Sequence, residues 1–150
     1  MADDEVMNLG DTKLFQSIYN TCNVDDFIPE FKKYFNVVKY KNWFDVSHEL
    51  GYKKLNGEIF ESGEGDDRNA IWLSDGIILI FELTANGDGD ISIDVNGERG
   101  PNQYGRDRFN FVLRNNGILI PQNASCNTEI HPWGEGCAKR IIENGWKMDY

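Results

Sequence analysis

Hydrophobic and polar residues alternate along the second half of the chain, and this alternation predicts a β-sheet. Five short strands are predicted, at about residues 70–73, 77–83, 91–95, 109–113 and 118–120. The segment at 77–83 is apolar on both faces, so we expect that strand at the centre of the sheet. Turn-forming residues separate the strands, and Asp75 and Gly76 are typical of a tight hairpin turn.

The first half of the chain carries helical periodicity instead. Apolar residues at 14, 15 and 18 predict a helix over about 11–22, and phenylalanines at 27, 31 and 35 predict a second helix over about 25–36. Residues 37–60 have a weak pattern, and a last helix is predicted at about 136–143. Helices followed by antiparallel strands indicate an α+β fold.

A polar loop separates the strand that ends near residue 95 from the strand that begins near residue 109. Its sequence, DVNGERGPNQYGRDRFNF for 94–111, holds three glycines, a proline, three asparagines and two aspartates. Glycine allows backbone conformations that other residues rarely adopt, and proline stiffens a turn. A loop of this length between neighbouring strands is usually functional or held by specific interactions.

The loop carries the motif DxNGxxGPNxxGxDxF from Asp94 to Phe109, and the end of the chain carries GCA at 136–138, II at 141–142 and NGWKMxY at 144–150. Together these two motifs resemble the head domains of bacterial type IV pilin-like proteins, including type II secretion pseudopilins. With the strands before them, the two motifs cover roughly residues 70–150.

The resemblance implies one domain over residues 1–150 in which N-terminal helices pack on an antiparallel sheet of four to five strands. It implies a structural, non-enzymatic filament subunit whose partners are other pilin-like subunits. It also implies a location at the cell surface, outside the cell or in the periplasm, with membrane attachment through an N-terminal hydrophobic helix. The sequence has no apolar run of about 18 residues, so we interpret it as a head domain from which that helix is missing.

The net charge of the chain argues against two classes of binding partner. Fifteen basic and twenty-five acidic residues give a net charge of −10. Nucleic acids and anionic membrane surfaces are bound by basic faces, so the composition disfavours both as partners.

Two of the three cysteines, Cys126 and Cys137, lie eleven positions apart in a loop-rich segment. This spacing is typical of a disulfide, which would indicate an oxidising compartment. Two buried thiols are the alternative. A zinc site has little support, because His131 is the only histidine nearby and there is no C-x-x-C pair. Cys22 has no predicted partner.

Calcium is the cofactor that the loop could bind, since calcium prefers six to eight oxygen ligands. Asp94, Asn96, Asn102 and Asp107 supply side-chain oxygens, and major pseudopilins bind calcium in a loop of similar position but different sequence. The alternative is that these residues only stabilise turns, because aspartate and asparagine side chains bond to nearby backbone groups.

No motif indicates an enzyme. The two histidines, His48 and His131, lie far apart in the sequence and outside any nucleophile motif. The alternative function is a secreted calcium-dependent adhesin or carbohydrate-binding module, which would use the 94–107 loop with Tyr104 or Trp133. We expect Trp146 to pack against the base of the sheet.

Overall fold

The computed structural model describes residues 28–29, 31–64, 68–83, 89–114 and 118–150. The elements that lie in these ranges are, in chain order, β1 (Val37–Asn42), α1 (Trp43–Leu50), β2 (Asn69–Leu73), β3 (Ile78–Leu83), β4 (Gly89–Asp94), a 3-10 turn (Gly97–Arg99), β5 (Arg108–Leu113), β6 (Leu119–Pro121) and α2 (Cys137–Glu143).

All six strands form one antiparallel sheet in the order β1 to β6, so each strand pairs with the next one along the chain. Local turns make this order possible. Between β2 and β3, Ile77 donates its backbone N–H to the Asp75 side chain at 3.2 Å, and Gly76 has a φ of 93°. Those are the residues that the sequence marks as a hairpin turn.

One face of the sheet is covered by α1 and the segment that follows it. Trp43 and Val46 of α1 and the ring of Tyr52 pack over the β2–β3 half of this face, where the strands contribute Ala70, Trp72, Ile78 and Ile80. The β4–β5 half of the same face is polar and still buried, with Ser92, Asp94, Arg108 and Asn110. The alternation of polar and apolar residues along β4 and β5 therefore does not indicate which positions are buried and which are exposed.

The opposite face is apolar. Ile71 and Leu79 are buried together with Ile28 and Phe31. Phe31 stacks on Phe35 with ring centroids 4.2 Å apart. This stacking agrees with the spacing of phenylalanines along the chain, and Ile28, Phe31 and Phe35 pack against this face.

The prediction of an α+β fold with N-terminal helices packed on four or five strands is wrong. The described chain is mainly a six-stranded antiparallel sheet, with two short helices, α1 and α2. The additional strand is β1, which begins inside the weakly patterned region and pairs with β2 through an irregular register between Val37 and Lys39. The predicted helix over 11–22 lies outside the described residues. Of the predicted helix over 25–36, residues 28, 29 and 31 are helical.

The C-terminal segment is fixed to the sheet by a disulfide and a short helix. Cys126 and Cys137 are bonded, with an S–S distance of 2.01 Å, and Cys137 begins α2. After α2, Gly145 and Trp146 both have a positive φ, of 66° and 64°. The sequence predicts this disulfide, and it predicts that the last helix ends near residue 143.

Candidate functional site

The loop between β4 and β5 is organised around two buried carboxylates. Asp94, the last residue of β4, is completely buried. Its Oδ1 accepts the backbone N–H groups of Gly97 at 2.7 Å and Asn96 at 3.2 Å, and its Oδ2 accepts the hydroxyl of Tyr52 at 2.6 Å. One side chain therefore fixes the start of the loop and ties it to the segment after α1.

Asp107 does the same at the other end of the loop. Its Oδ1 accepts the backbone N–H of Gln103 at 2.6 Å, and its Oδ2 accepts that of Asn102 at 2.7 Å. The backbone N–H of Val95 donates to the Asp107 carbonyl at 2.9 Å and closes the base of the loop. Hydrogen bonds to a charged acceptor contribute more than neutral ones, about 1.5–3 kcal/mol each, so the loop is strongly fixed at both ends.

Arg108, the first residue of β5, is completely buried. Its guanidinium carbon lies 4.1 Å from the ring centroid of Tyr104, 4.4 Å from that of Trp43 and 5.1 Å from that of Tyr52. Its Nη2 donates to Ser92 at 3.0 Å, and its Nε and Nη1 have no hydrogen-bond partner within the described part of the chain. Cation–π attraction to three rings offsets part of the cost of burying this charge.

Burial shifts the pKa values of Asp94, Tyr52 and Arg108. It raises the pKa of the Asp94 carboxyl above its ordinary value, although the hydrogen bond from Tyr52 acts in the opposite direction. Burial and the neighbouring Asp94 charge raise the pKa of the Tyr52 hydroxyl. Burial also lowers the pKa of Arg108. All three groups are held in a medium that disfavours charge.

Two glycines of the loop are required by close contacts. A side chain at Gly97, whose φ is 58°, would collide with the backbone oxygen of Gly76 in the neighbouring turn. At Gly105, with a φ of 74°, a Cβ atom would lie 2.7 Å from the sulfur of Cys137. The loop therefore packs directly on the disulfide through Gly105.

The four predicted calcium ligands lie in this one loop, and they fit a hard cation in part. The side-chain oxygens of Asn96 and Asn102 are buried and have no hydrogen-bond partner among the described residues. Their amide nitrogens donate to the carbonyls of Gly100, at 2.7 Å, and Leu50, at 2.8 Å, which leaves the oxygens available. The carboxylates of Asp94 and Asp107 already accept backbone N–H groups. Within the described ranges no group of three or more histidine, cysteine, aspartate or glutamate residues forms a metal cluster. Calcium binding stays a prediction.

The tail of the chain is bound to the same loop. Tyr150 donates its hydroxyl to the Gly105 carbonyl at 2.6 Å, and Arg106 donates to the Tyr150 carbonyl at 2.6 Å. Arg140 of α2 donates to Asp149 at 2.8 Å. The two motifs that carry the family resemblance are thus neighbours in the fold.

The described residues contain one serine–histidine pair, and its geometry does not suit nucleophilic catalysis. Ser47 lies 3.2 Å from Nδ1 of His48, but the same nitrogen lies 2.7 Å from the Phe44 carbonyl, which can only accept a hydrogen bond. Nδ1 must therefore carry the proton, and it cannot take one from Ser47. Ser47 is also completely buried, so a substrate could not reach its hydroxyl.

A small polar cavity of about 70 Å³ lies on the β4–β5 half of the covered face. Its walls include Ser92, Tyr104, Asn110, Arg68 and Glu135. Small-molecule sites usually have about 300–1,000 Å³, so this cavity suits a few water molecules rather than a substrate.

Tyr104, Trp133 and Trp146 differ in their exposure to solvent. Tyr104 is only 3% exposed, because it packs on Arg108. Trp133 is half-buried against Phe60, with ring centroids 5.0 Å apart. Trp146 is 77% exposed, so the prediction that it packs against the base of the sheet is wrong.

Sequence reasoning missed the partners that hold the loop. Tyr52 and Trp43 lie in the weakly patterned region, and the sequence offers Arg108 only as one of three loop arginines that could pair with Asp107. The available signal was that Arg108 and Asn110 alternate with Phe109 and Phe111. This pattern places them on a common face of the strand, which α1 and its following segment turn out to cover.

Comparisons with models of known families, with curated proteins and with solved structures found no match. No helix among the described residues has the length and apolar character needed to cross a membrane.

Proposed function

We propose that this domain is a structural subunit of a bacterial surface filament of the type IV pilus or type II secretion kind. The observation that carries the proposal is the contact between the two motifs that resemble pilin-like proteins. Gly105 of the loop motif lies against Cys137 of the C-terminal motif, and Tyr150 donates to the Gly105 carbonyl. The proposal concerns the function only. It does not depend on the predicted packing of N-terminal helices on the sheet, which was wrong.

The physical character of the domain supports a structural role. A disulfide and two buried carboxylates fix the long loop and the C-terminal tail to each other. A subunit that bears load in an extracellular assembly gains from such cross-links, because they limit local unfolding. The disulfide also favours the periplasm or the cell exterior as the place where the domain works. Its partners would be other pilin-like subunits, and no nucleic acid.

The alternative, a calcium-dependent adhesin or carbohydrate-binding module, has less support. Of the two aromatic residues on which it relies, Tyr104 is buried beside Arg108 and Trp133 is half-buried. Such a module would stack sugar rings on exposed aromatic faces. Binding to a glycan array that depends on calcium would favour this alternative over the filament subunit.

The filament proposal is tested in the source organism. Filaments sheared from the cell surface should contain the protein, and deletion of its gene should reduce filament assembly or the secretion that depends on it. A Cys137→Ala variant should lower the amount in filaments, while Ile130→Ala, which removes an exposed side chain and keeps the disulfide, should not. Recovery of the protein only from the cytoplasm, with its cysteines reduced, would refute the proposal.

A further inference from the structure

Trp146 is a large apolar side chain held in solvent by a rigid backbone. It is 77% exposed. Its backbone N–H donates to the Ile141 carbonyl at 2.8 Å, and the Asn144 side chain donates to the Lys147 carbonyl at 3.2 Å. The turn that carries Trp146 is thus fixed to the end of α2.

The residues that follow Trp146 are fixed as well. Asp149 pairs with Arg140, and Tyr150 is bound by Arg106 and by the Gly105 carbonyl. An exposed aromatic residue on a rigid support loses little conformational entropy on binding. Tryptophan is also the residue type most enriched among those that dominate interface energies. Met148, which is 45% exposed, adds apolar surface next to it in the chain.

The same end of the molecule contains an open crevice of about 260 Å³. Its walls include Leu55, Arg106, Thr128, Arg140 and Tyr150. The guanidinium groups of Arg106 and Arg140 lie 5.3 and 5.1 Å from the centroid of the Tyr150 ring. Guanidinium groups attract the face of tryptophan more strongly than that of tyrosine or phenylalanine. A second aromatic ring is therefore a ligand that these guanidinium groups can attract.

We propose that Trp146 of one copy of this chain inserts into the Arg106–Arg140 crevice of a second copy. Trp146 is not among the residues that line the crevice, so the two halves of the contact are different surface patches. A contact between different patches can repeat without closing and build a filament, or it can close as a two-fold dimer if both copies insert their tryptophans. The inference rests on the proposed function and specifies which surfaces of neighbouring subunits meet.

Sedimentation velocity over a range of concentrations tests the contact with three variants. Trp146→Asn removes the ring, and asparagine tolerates the left-handed backbone at this position. Thr128→Phe fills the crevice from an exposed position. Ile130→Ala is the control, since Ile130 is 73% exposed and lies outside both patches. The wild type and the control should self-associate, and each of the other two variants should associate at least about 30-fold more weakly, as expected for a dominant interface residue.

Mixing the two impaired variants gives the sharper result. Trp146→Asn retains an intact crevice and Thr128→Phe retains an intact tryptophan, so the mixture should form heterodimers at concentrations where neither variant associates measurably alone. A wild type that stays monomeric, a Trp146→Asn variant that associates normally, or a mixture without heterodimers would overturn the inference. Absence of the protein from surface filaments, with the solution contact intact, would instead refute the proposed function.

Discussion

Replacing Tyr52 with phenylalanine should destabilise the domain by about 1.5–3 kcal/mol at neutral pH, the usual contribution of a hydrogen bond to a charged group. The Tyr52 hydroxyl donates to Asp94 at 2.6 Å, and both side chains are completely buried. Phenylalanine keeps the packing against Trp43, whose ring centroid lies 5.0 Å away. The loss should therefore come from the missing hydroxyl and from the carboxylate oxygen that it leaves without a donor.

The size of this loss should depend on pH. Burial raises the pKa of Asp94, and the Tyr52 hydroxyl opposes that rise, so the pKa of Asp94 in the folded variant should be higher still. Where the folded state binds more protons than the unfolded state, stability falls as the pH rises. For Asp94 this fall in stability begins near the unfolded pKa of about 4. It continues to a higher pH in the variant, because the folded pKa of Asp94 is higher there. Its destabilisation should thus be smaller at pH 4 than at pH 8.

Urea unfolding at several pH values measures both effects through the midpoint and the slope of the transition. Tyr34→Phe is the matched control, because Tyr34 is 64% exposed and its substitution should change the free energy of unfolding by less than about 0.5 kcal/mol. A loss in Tyr52→Phe no larger than in the control, or a loss that does not grow with pH, would show that the hydrogen bond to Asp94 does not hold the loop.

Three further predictions follow from the loop and the disulfide. Thiol labelling of the unfolded, unreduced protein should find one reactive cysteine, Cys22, and reduction should cost about 3 kcal/mol of stability; three reactive thiols would exclude the disulfide. Gly97→Ala should destabilise by at least about 2 kcal/mol more than Gly57→Ala, because both positions have a positive φ but only Gly97 contacts another backbone; equal losses in urea unfolding would contradict this. Calcium added after chelation, at about 100 times its dissociation constant, should raise the melting temperature by about 5–10 °C, and Asp107→Asn should remove that rise; an unchanged wild-type melting curve would mean that hydrogen bonds alone hold the loop.

The strands of the second half of the chain, and the turn between β2 and β3, could be predicted from the sequence alone. The predicted strands at 77–83 and 109–113 correspond to Ile78–Leu83 and Arg108–Leu113, and the last helix begins within one residue of its predicted start. These elements are defined by local signals, namely period-2 alternation and turn residues between neighbouring strands. Each strand pairs with the next one in sequence, so local signals were sufficient to place them.

The tertiary structure alone decided the first strand and the fold class. β1 is largely exposed, so burial imposed no alternation on its sequence. Its pairing with β2 spans a long separation along the chain and includes an irregular register. A strand that forms mainly by backbone pairing with its neighbour need not show a β pattern in its own side chains. For this reason the sequence predicted a sheet with one strand fewer.

Some features of the candidate site were likewise predictable from the sequence, and others depended on the tertiary structure. Asp94 and Asp107 stood out in the sequence because glycine, asparagine and proline surround them, and the structure places both at the ends of the loop. The roles of Tyr52 and Arg108 depend on which segment covers the β4–β5 face, and the exposure of Trp146 depends on the contacts that hold the tail. The sequence by itself therefore determined which residues turn the chain and which positions alternate. Burial and partners were decided by packing between segments distant in sequence, since a charged or aromatic side chain can be buried or exposed according to what lies opposite it.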